Sequence, residues 1–237
     1  MGFVTAFLTV AAFVLLIPVT VFVIECLAAL IPERRRPFNP EGRSPRTVVL
    51  VPAHNEEAGL GATLDSLKAA CTEEFSILVI ADNCKDKTAE VARAAGADCI
   101  ERTDFDNRGK GYALVYGLDH LAKNPPDVVI VVDADCRVST DALKRLSQRA
   151  AETNRPVQAD YVLTPPKEHT PMSAVSGLAV LVKNRVRPAG LRRLGLPCHL
   201  TGSGMAFPFE VIRKAPPTGA YLADEHILDE VGAGRRC

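Results

Sequence analysis

The sequence has no excess of charge of either sign, because 28 lysines and arginines balance 28 aspartates and glutamates. A nucleic-acid-binding domain would carry a basic surplus or stripe, so we expect no nucleic-acid partner. The seven cysteines form no C-x-x-C pair, and the five histidines do not cluster with them. These absences argue against a zinc site and favour reduced thiols in a reducing compartment.

Charged residues are also missing from positions 3–24, and the apolar run continues to Ile31 with Glu25 as its one charge. About 20 apolar residues cross a bilayer as a helix. A cleaved signal peptide is the alternative, but it would have basic residues before the run. Three arginines at 34–36 follow it instead. We therefore predict a transmembrane anchor over 1–31, single-pass in the cell inner membrane, with the N-terminus outside and the catalytic domain cytoplasmic.

Residues 32–46 are rich in proline and arginine and predict a linker. Beyond it, apolar β-branched runs alternate with helically spaced leucines, which indicates an α/β fold with a mostly parallel sheet and flanking helices. The expected strands are 47–51, 76–82, 98–102, 127–133 and 157–164. The expected helices are 57–70, 88–95, 111–122, 140–152 and 170–187.

Helix starts are expected at Ser139, as a capping residue, and at Thr170 with a proline in the first helical position. The segment 188–197 mixes basic and apolar residues. A location on the membrane surface and an ordinary amphipathic loop-helix both remain open for it.

Acidic side chains follow three of the expected strands, at the sheet edge where ligands bind in such folds. Asp133 and Asp135 flank one alanine after the strand 127–133, so their side chains point the same way. Such a carboxylate pair suits Mg²⁺ or Mn²⁺, although a solvated loop or a helix cap also explains a D-x-D. Asp82 can accept a hydrogen bond from a base N–H, or belong to a turn whose Asp86 caps the next helix.

Several motifs then occur in a characteristic order: VPAHNEE at 51–57, D-N-x-x-D-x-T at 82–88, RGKGYAL at 108–114, VVDAD at 131–135 and TGSGMAFP at 201–208. Together they resemble the family-2 glycosyltransferases, especially membrane-bound bacterial polysaccharide and cellulose-synthase-like transferases. The resemblance covers roughly 47–225. It implies a GT-A (Rossmann-like) domain over 47–237, with a nucleotide-binding half at 47–135 and an acceptor and catalytic-base half at 136–237.

The resemblance also implies a reaction and its site residues. The reaction is inverting, metal-dependent transfer from a nucleoside-diphosphate sugar, usually a UDP-sugar, to a glycan or lipid-linked acceptor, in cell-surface or exopolysaccharide synthesis. The nucleotide would contact Pro52, Ala53, Glu56, Asp82, Lys110 and Asp133. Asp135 and Asp133 would hold Mg²⁺ or Mn²⁺, and Gly202, Ser203 and Gly204 would shape the acceptor side.

The catalytic base of the family belongs to a Glu-Asp pair, and an ungapped count places Asp224-Glu225 there in reversed order. Glu225 would be the base, Asp224 the second choice, and the pair at 229–230 a weaker candidate. Members of this family that extrude polymer carry a Q-x-x-R-W motif, which is absent here because the sequence has no tryptophan. We therefore expect the acceptor half to be truncated. A catalytically degenerate, membrane-bound nucleotide-binding scaffold left by C-terminal truncation remains an alternative, and the acidic PAHNEE disfavours a nucleotidyltransferase on a similar fold.

Overall fold

The computed structural model describes residues 2–32, 42, 44–163 and 170–214. Its contacts divide the chain into two compact units. The helical unit contains the described residues 2–32, 160–163 and 170–198, and the sheet unit contains 42, 44–159 and 199–214. The arginines at 34–36 and the acidic residues Asp224, Glu225, Asp229 and Glu230 lie outside the described residues. The assignments made for them, and the domain boundaries, stay predictions.

The elements occur in the following order along the chain. The strands are β1 (Thr47–Ala53), β2 (Phe75–Asp82), β3 (Asp98–Arg102), β4 (Val128–Val131), β5 (Val157–Gln158) and β6 (Met205–Pro208). The helices are α1 (Gly2–Ala29), α2 (Leu60–Ala70), α3 (Thr88–Ala94), α4 (Lys110–Leu121), α5 (Ala142–Thr153), α6 (Pro171–Leu181), α7 (Arg187–Arg193) and α8 (Phe209–Ile212). A π-helical turn, Val182–Val186, joins α6 to α7.

The sheet unit is built on six strands in the order β3-β2-β1-β4-β6-β5. The first four in this order run parallel, whereas β6 is antiparallel to both β4 and β5. This confirms the expected α/β class with a mostly parallel sheet. The antiparallel strand matters for the site, because β6 begins at the edge where β4 ends.

Both faces of the sheet are covered, which explains why its central strands are continuous apolar runs. On one face, Leu114 and Leu118 of α4 share a core with Leu50 and Ile80 of the sheet. Gly117 lies between them, and a Cβ there would be only 2.6 Å from Ile80 Cδ1. The opposite face carries α5, which contacts β4 and β6, and α2, which contacts α5.

The helical unit is formed by α1, α6, the π turn and α7. Among the described residues, α1 is the one helix long and apolar enough to cross a membrane. Near its end, Glu25 is only 4% exposed and accepts from Arg187 Nε at 2.6 Å. A Cβ on Gly190 would overlap the backbone oxygen of Glu25, so glycine permits the close approach of α7 to α1. Pro188 lacks the N–H of a regular helix, and the wide π turn precedes it.

Three local predictions were wrong or only partly right. Ser139 does not cap with its side chain: α5 begins at Ala142, whose N–H meets the Ser139 carbonyl, and Asp141 makes no capping bond either. Of the strand 157–164, only β5 forms, because this edge segment pairs with β6 over two residues. Residue 164 is not described. β4 stops at Val131, because the following residues turn.

The start of the helix predicted at Thr170 is confirmed. The Thr170 hydroxyl accepts a hydrogen bond from the N–H of Ser173 at 3.1 Å, and the Ser173 hydroxyl accepts one from the Thr170 N–H at 3.0 Å. The helix extends through the π turn to Arg193. Part of the segment 188–197 is therefore helical, and both locations considered for it, on a membrane surface or away from it, stay predictions.

Candidate active site

The candidate site lies at the carboxyl ends of β1, β2 and β4. The segment 201–204 reaches the same edge, because it leads into the antiparallel strand β6. Lys110 also belongs to this edge, as the first residue of α4. The topology therefore gathers there residues that are far apart in the sequence.

The turn after β4 carries the two carboxylates and is fixed by hydrogen bonds on both sides. The Asp133 N–H donates to Ser203 Oγ at 3.0 Å, and the Thr63 hydroxyl donates to the carbonyl of the intervening alanine at 2.6 Å. One ligand atom from each of Asp133, Asp135 and Cys136 lies within 4.8 Å of the others. Two carboxylates at this spacing suit a hard divalent cation that completes its coordination with water and phosphate.

Lys110 links this turn to the loop 201–204. Its ammonium pairs with Asp133 Oδ1 and donates to the carbonyl of Gly202 at 2.5 Å. About a third of each side chain of the pair is exposed. A flexible cation thus neutralises one of the two carboxylates from a position that solvent reaches.

The loop 201–204 is shaped by two glycines with positive φ, +88° at Gly202 and +68° at Gly204. At Gly204, a Cβ would lie 2.8 Å from the Cβ of Ala159, so the backbone passes close to the residue after β5. Between them, Ser203 is only 2% exposed, and its hydroxyl lies 3.2 Å from Cys136 Sγ. Ser203 therefore holds the D-A-D turn and does not itself face the solvent.

Asp82, at the end of β2, is held in a buried ion pair. Arg102 ends β3 directly opposite it in the parallel register, and Arg102 Nη1 lies 2.7 Å from Asp82 Oδ1. Arg102 Nη2 donates to Asp104 Oδ2 and to the Asn107 carbonyl, each at 2.8 Å. Arg102 and Asp82 are 9% and 6% exposed. The arginine thus connects the end of the sheet to the loop that precedes α4.

Asn107 also stabilises the ionised carboxylate of Asp104 in that loop. Its backbone N–H and then its side-chain amide donate to Asp104, and these bonds lower the pKa of the Asp104 carboxyl below its ordinary value. The Asp106 N–H and the Arg102 guanidinium act in the same direction. Hydrogen bonds and an opposite charge both favour the ionised carboxylate.

The loops after β1 and β2 are bonded to each other. The Glu56 N–H donates to Thr88 Oγ1 at 2.8 Å, and the Glu57 N–H donates to Asp86 Oδ2 at 3.0 Å. Asp86 also accepts the Thr88 N–H at the beginning of α3. These residues therefore have structural partners, and the acidic character of PAHNEE alone does not identify a binding role.

The structure places at or beside this edge all the residues that the sequence assigned to the nucleotide, the metal and the acceptor side. The predicted residues at or beside this edge are Pro52, Ala53, Glu56, Asp82, Lys110, Asp133, Asp135, Gly202, Ser203 and Gly204. Their individual roles stay predictions. The proposed bases, Glu225 and Asp224, lie outside the described residues.

Sequence reasoning missed Arg102 and Asp104. The strand 98–102 was predicted correctly, and aligning its last residue with that of the neighbouring parallel strand places Arg102 beside Asp82. That alignment was the available signal. Thr63, on α2, gave no comparable signal, because its partner is a backbone carbonyl 71 residues away.

The mostly parallel sheet with flanking helices and this polar edge belong to the GT-A class of folds. The Glycosyl transferase family 2 matches residues 48–204, and the chain belongs to this family.

Two curated relatives illustrate the similarity. The chain is 29% identical over 210 residues to the 4,4'-diaponeurosporenoate glycosyltransferase of Staphylococcus haemolyticus, covering 82% of this chain and 52% of that protein. It is 32% identical over 111 residues to the undecaprenyl-phosphate 4-deoxy-4-formamido-L-arabinose transferase of Pseudomonas aeruginosa, covering 44% of this chain and 32% of that protein. The chain thus spans about half the length of the first relative and a third of the second.

A solved structure supports the fold. The mannosyltransferase PcManGT from Pyrobaculum calidifontis, in complex with GDP-Man and Mn²⁺, superposes with a TM-score of 0.67 at 20% identity. The match covers 90% of this chain and 59% of that chain. At this identity the likeness establishes the GT-A fold alone.

Proposed function

We propose that the chain is an inverting, metal-dependent glycosyltransferase that is anchored in the membrane. It would move a sugar from a nucleoside-diphosphate sugar to a lipid-linked or glycan acceptor. The observation that carries the proposal is the arrangement of Asp133 and Asp135 on a fixed turn, with Lys110 opposite them. This site combines carboxylates for a divalent cation with a separate cation for phosphate.

The donor set fits Mg²⁺ or Mn²⁺. The two carboxylates supply hard oxygen ligands, and the remaining coordination positions suit diphosphate and water. A bound cation would supply charge neutralisation to the diphosphate leaving group. Lys110 would then turn from Asp133 towards the diphosphate, while Asp82 would meet the base. The Pyrobaculum enzyme, solved with GDP-Man and Mn²⁺, supports a nucleotide-sugar and a divalent cation, and the motif resemblance favours UDP.

The proposed reaction is the one that the motif resemblance implies. The acceptor hydroxyl oxygen attacks the anomeric carbon on the face opposite the diphosphate, and the bond from that carbon to the diphosphate oxygen breaks. Glu225, or Asp224 in its place, takes the hydroxyl proton as general base. Attack from the opposite face inverts the anomeric configuration. The nucleoside diphosphate leaves with the bonding electron pair.

Two features support a membrane-associated acceptor in cell-surface glycan synthesis. One is α1, whose composition and length suit a bilayer. The other is the similarity to relatives named for undecaprenyl phosphate and for 4,4'-diaponeurosporenoate. With the arginines at 34–36 on the inner side, the sheet unit would face the cytoplasm, where nucleotide sugars are available.

Calorimetry on the full chain in detergent or vesicles tests the donor site, with UDP and GDP titrated with and without Mn²⁺. We expect metal-dependent binding of one nucleotide, and its loss in Asp135→Asn. The matched control is Asp65→Asn, which removes an exposed carboxylate on α2. Equal nucleotide affinity in Asp135→Asn and the control would refute the metal assignment. Nucleotide binding without any transfer to lipid or glycan acceptors would instead favour the scaffold alternative.

A further inference from the structure

We propose that residues 171–193 form a membrane-surface element in which α6 inserts apolar side chains among lipid acyl chains and the basic residues after it bind anionic headgroups. This proposal rests on the membrane anchoring proposed above. It commits to a lipid surface as the partner of a face that is exposed among the described residues of the helical unit.

The apolar side chains of α6 are exposed. None of its eleven residues is buried and none is charged. Met172, Val175 and Leu178, at intervals of three residues, are 74%, 64% and 61% exposed. A helix of a globular domain normally turns such a stripe towards a core. An apolar helix face left open in this way marks an interaction surface.

The segment after α6 carries only positive charge among its lysine, arginine and acidic side chains. No acidic residue occurs between positions 170 and 209. Within that stretch the basic residues are Lys183, Arg185, Arg187, Arg192 and Arg193. Arg187 pairs with the buried Glu25 and Arg185 with Asp160, while Lys183 is exposed. A basic cluster beside an apolar helix is complementary to anionic phospholipid, where each such residue contributes to binding.

The helices that follow α6 are in contact with α1 inside the same unit. α7 contacts α1 at Glu25, where Gly190 allows the two backbones to approach closely. The apolar side chains of α1 next to this contact, Val21 and Ile24, are about half exposed, as lipid-facing residues would be. A bilayer that surrounds α1 therefore extends as far along α1 as its contact with α7.

The length of the uncharged stretch determines whether α6 would span the bilayer or lie at its surface. The uncharged stretch 171–182 has a helical length of about 18 Å, too short for a hydrocarbon core of about 30 Å. Such a segment lies in the interface, with its apolar face about 5–10 Å into the boundary between headgroups and acyl chains. The basic residues that follow then sit at phosphate level.

The lack of tryptophan makes the proposal testable, because one introduced tryptophan reports one position. The full chain is reconstituted in vesicles of phosphatidylcholine and phosphatidylglycerol whose acyl chains carry bromine at shallow or deep positions. Val175→Trp and Leu178→Trp report on α6. Phe13→Trp, in the middle of α1, is the deep reference, and Phe105→Trp, an exposed position of the sheet unit, is the aqueous reference.

We expect Val175→Trp and Leu178→Trp to be quenched most by the shallow bromines, and Phe13→Trp most by the deep ones. Suppose that Phe13→Trp is quenched but both α6 variants are quenched no more strongly than Phe105→Trp. That result would overturn the proposal and point to a protein partner or a second copy on this face. An unquenched Phe13→Trp would remove the anchor itself, and the proposal with it. Neither result affects the proposed transferase activity, because nucleotide binding is measured separately, whereas an unquenched Phe13→Trp contradicts the proposed membrane anchor.

A charge variant provides a second measurement. In the Val175→Trp background, Lys183→Gln should lower the ratio of inserted to non-inserted segment by about fivefold in vesicles with phosphatidylglycerol. It should have little effect in phosphatidylcholine alone. The matched control is Lys123→Gln, which removes an exposed lysine from the sheet unit. Equal quenching in both vesicle types, unchanged by Lys183→Gln, would overturn the headgroup part of the proposal.

Discussion

Asp82 and Asp133 lie at the same edge of the sheet, yet their charges are neutralised in different ways. Asp82 faces a rigid guanidinium that is buried with it and bonded to a second carboxylate. Asp133 faces a flexible ammonium on a pair that is about one third exposed. The first arrangement is a fixed part of the architecture, whereas the second can exchange its cation without unfolding anything. A site that must bind and release a charged ligand needs both kinds of support.

The largest effect is expected from breaking the buried pair. Arg102→Met leaves Asp82 and Asp104 without their cation, and removing one partner of a buried pair costs about 3–5 kcal/mol. Denaturant unfolding of the detergent-solubilised chain measures the change. The control is Arg93→Met, which breaks an exposed pair with Glu101 and should cost at most about 1 kcal/mol. Equal losses in the two variants would contradict the distinction between fixed and exchangeable pairs.

A smaller effect is expected at the hydroxyl that holds the D-A-D turn. Ser203→Ala removes the acceptor for the Asp133 N–H, and an unsatisfied buried donor costs about 1–3 kcal/mol. Divalent-cation binding should weaken as well, because the turn loses its support. Ser76→Ala, at an exposed position of β2, serves as the control. A variant with unchanged stability and unchanged Mn²⁺ affinity would show that the turn does not depend on Ser203.

Because Asp133 can exchange Lys110 for another cation, we expect replacement of Lys110 to change the affinities for Mn²⁺ and for nucleoside diphosphate in opposite directions. Lys110→Met removes a cation that competes at Asp133, so Mn²⁺ alone should bind about 3–10-fold more tightly. Nucleoside diphosphate should bind more weakly in the same variant, because the phosphate loses a positive partner. Calorimetry of both ligands distinguishes the two effects, with Lys123→Met as the control. Parallel changes for both ligands would contradict exchange at this carboxylate.

The smallest expected effect concerns pH. The pKa of Asp104 is lowered in the folded chain, so its contribution to stability is present above its unfolded pKa of about 4 and is lost as pH falls through the folded value. Asp104→Asn should therefore be less stable than wild type near neutral pH, and the gap should close in acid. Paired unfolding curves from pH 7 downwards measure this. A gap that widens in acid would reverse the assigned sign.

Much of the fold could be predicted because local patterns agree with tertiary burial. The runs that became β1, β2 and β4 are apolar on both faces, and the leucines of α2 and α4 have helical spacing. Those strands in turn predicted which acidic residues share an edge. The Asp82–Arg102 pair was missed because it depends on the register between two strands, which no single segment reveals. The failed cap at Ser139 shows the converse, because a favourable residue type was overridden by a turn that used its carbonyl instead.

The pair between Glu25 and Arg187 also has a consequence for biosynthesis. The partners are 162 residues apart, so at about 5–20 residues per second Glu25 is made about 8–30 s before Arg187. If α1 enters the bilayer within that interval, its single carboxylate lies near the membrane surface without its arginine. During that interval the nascent helix is open to other cationic helices or to proteolysis. Completion of α7 ends the delay, and the chain then supplies the partner that its own first helix requires.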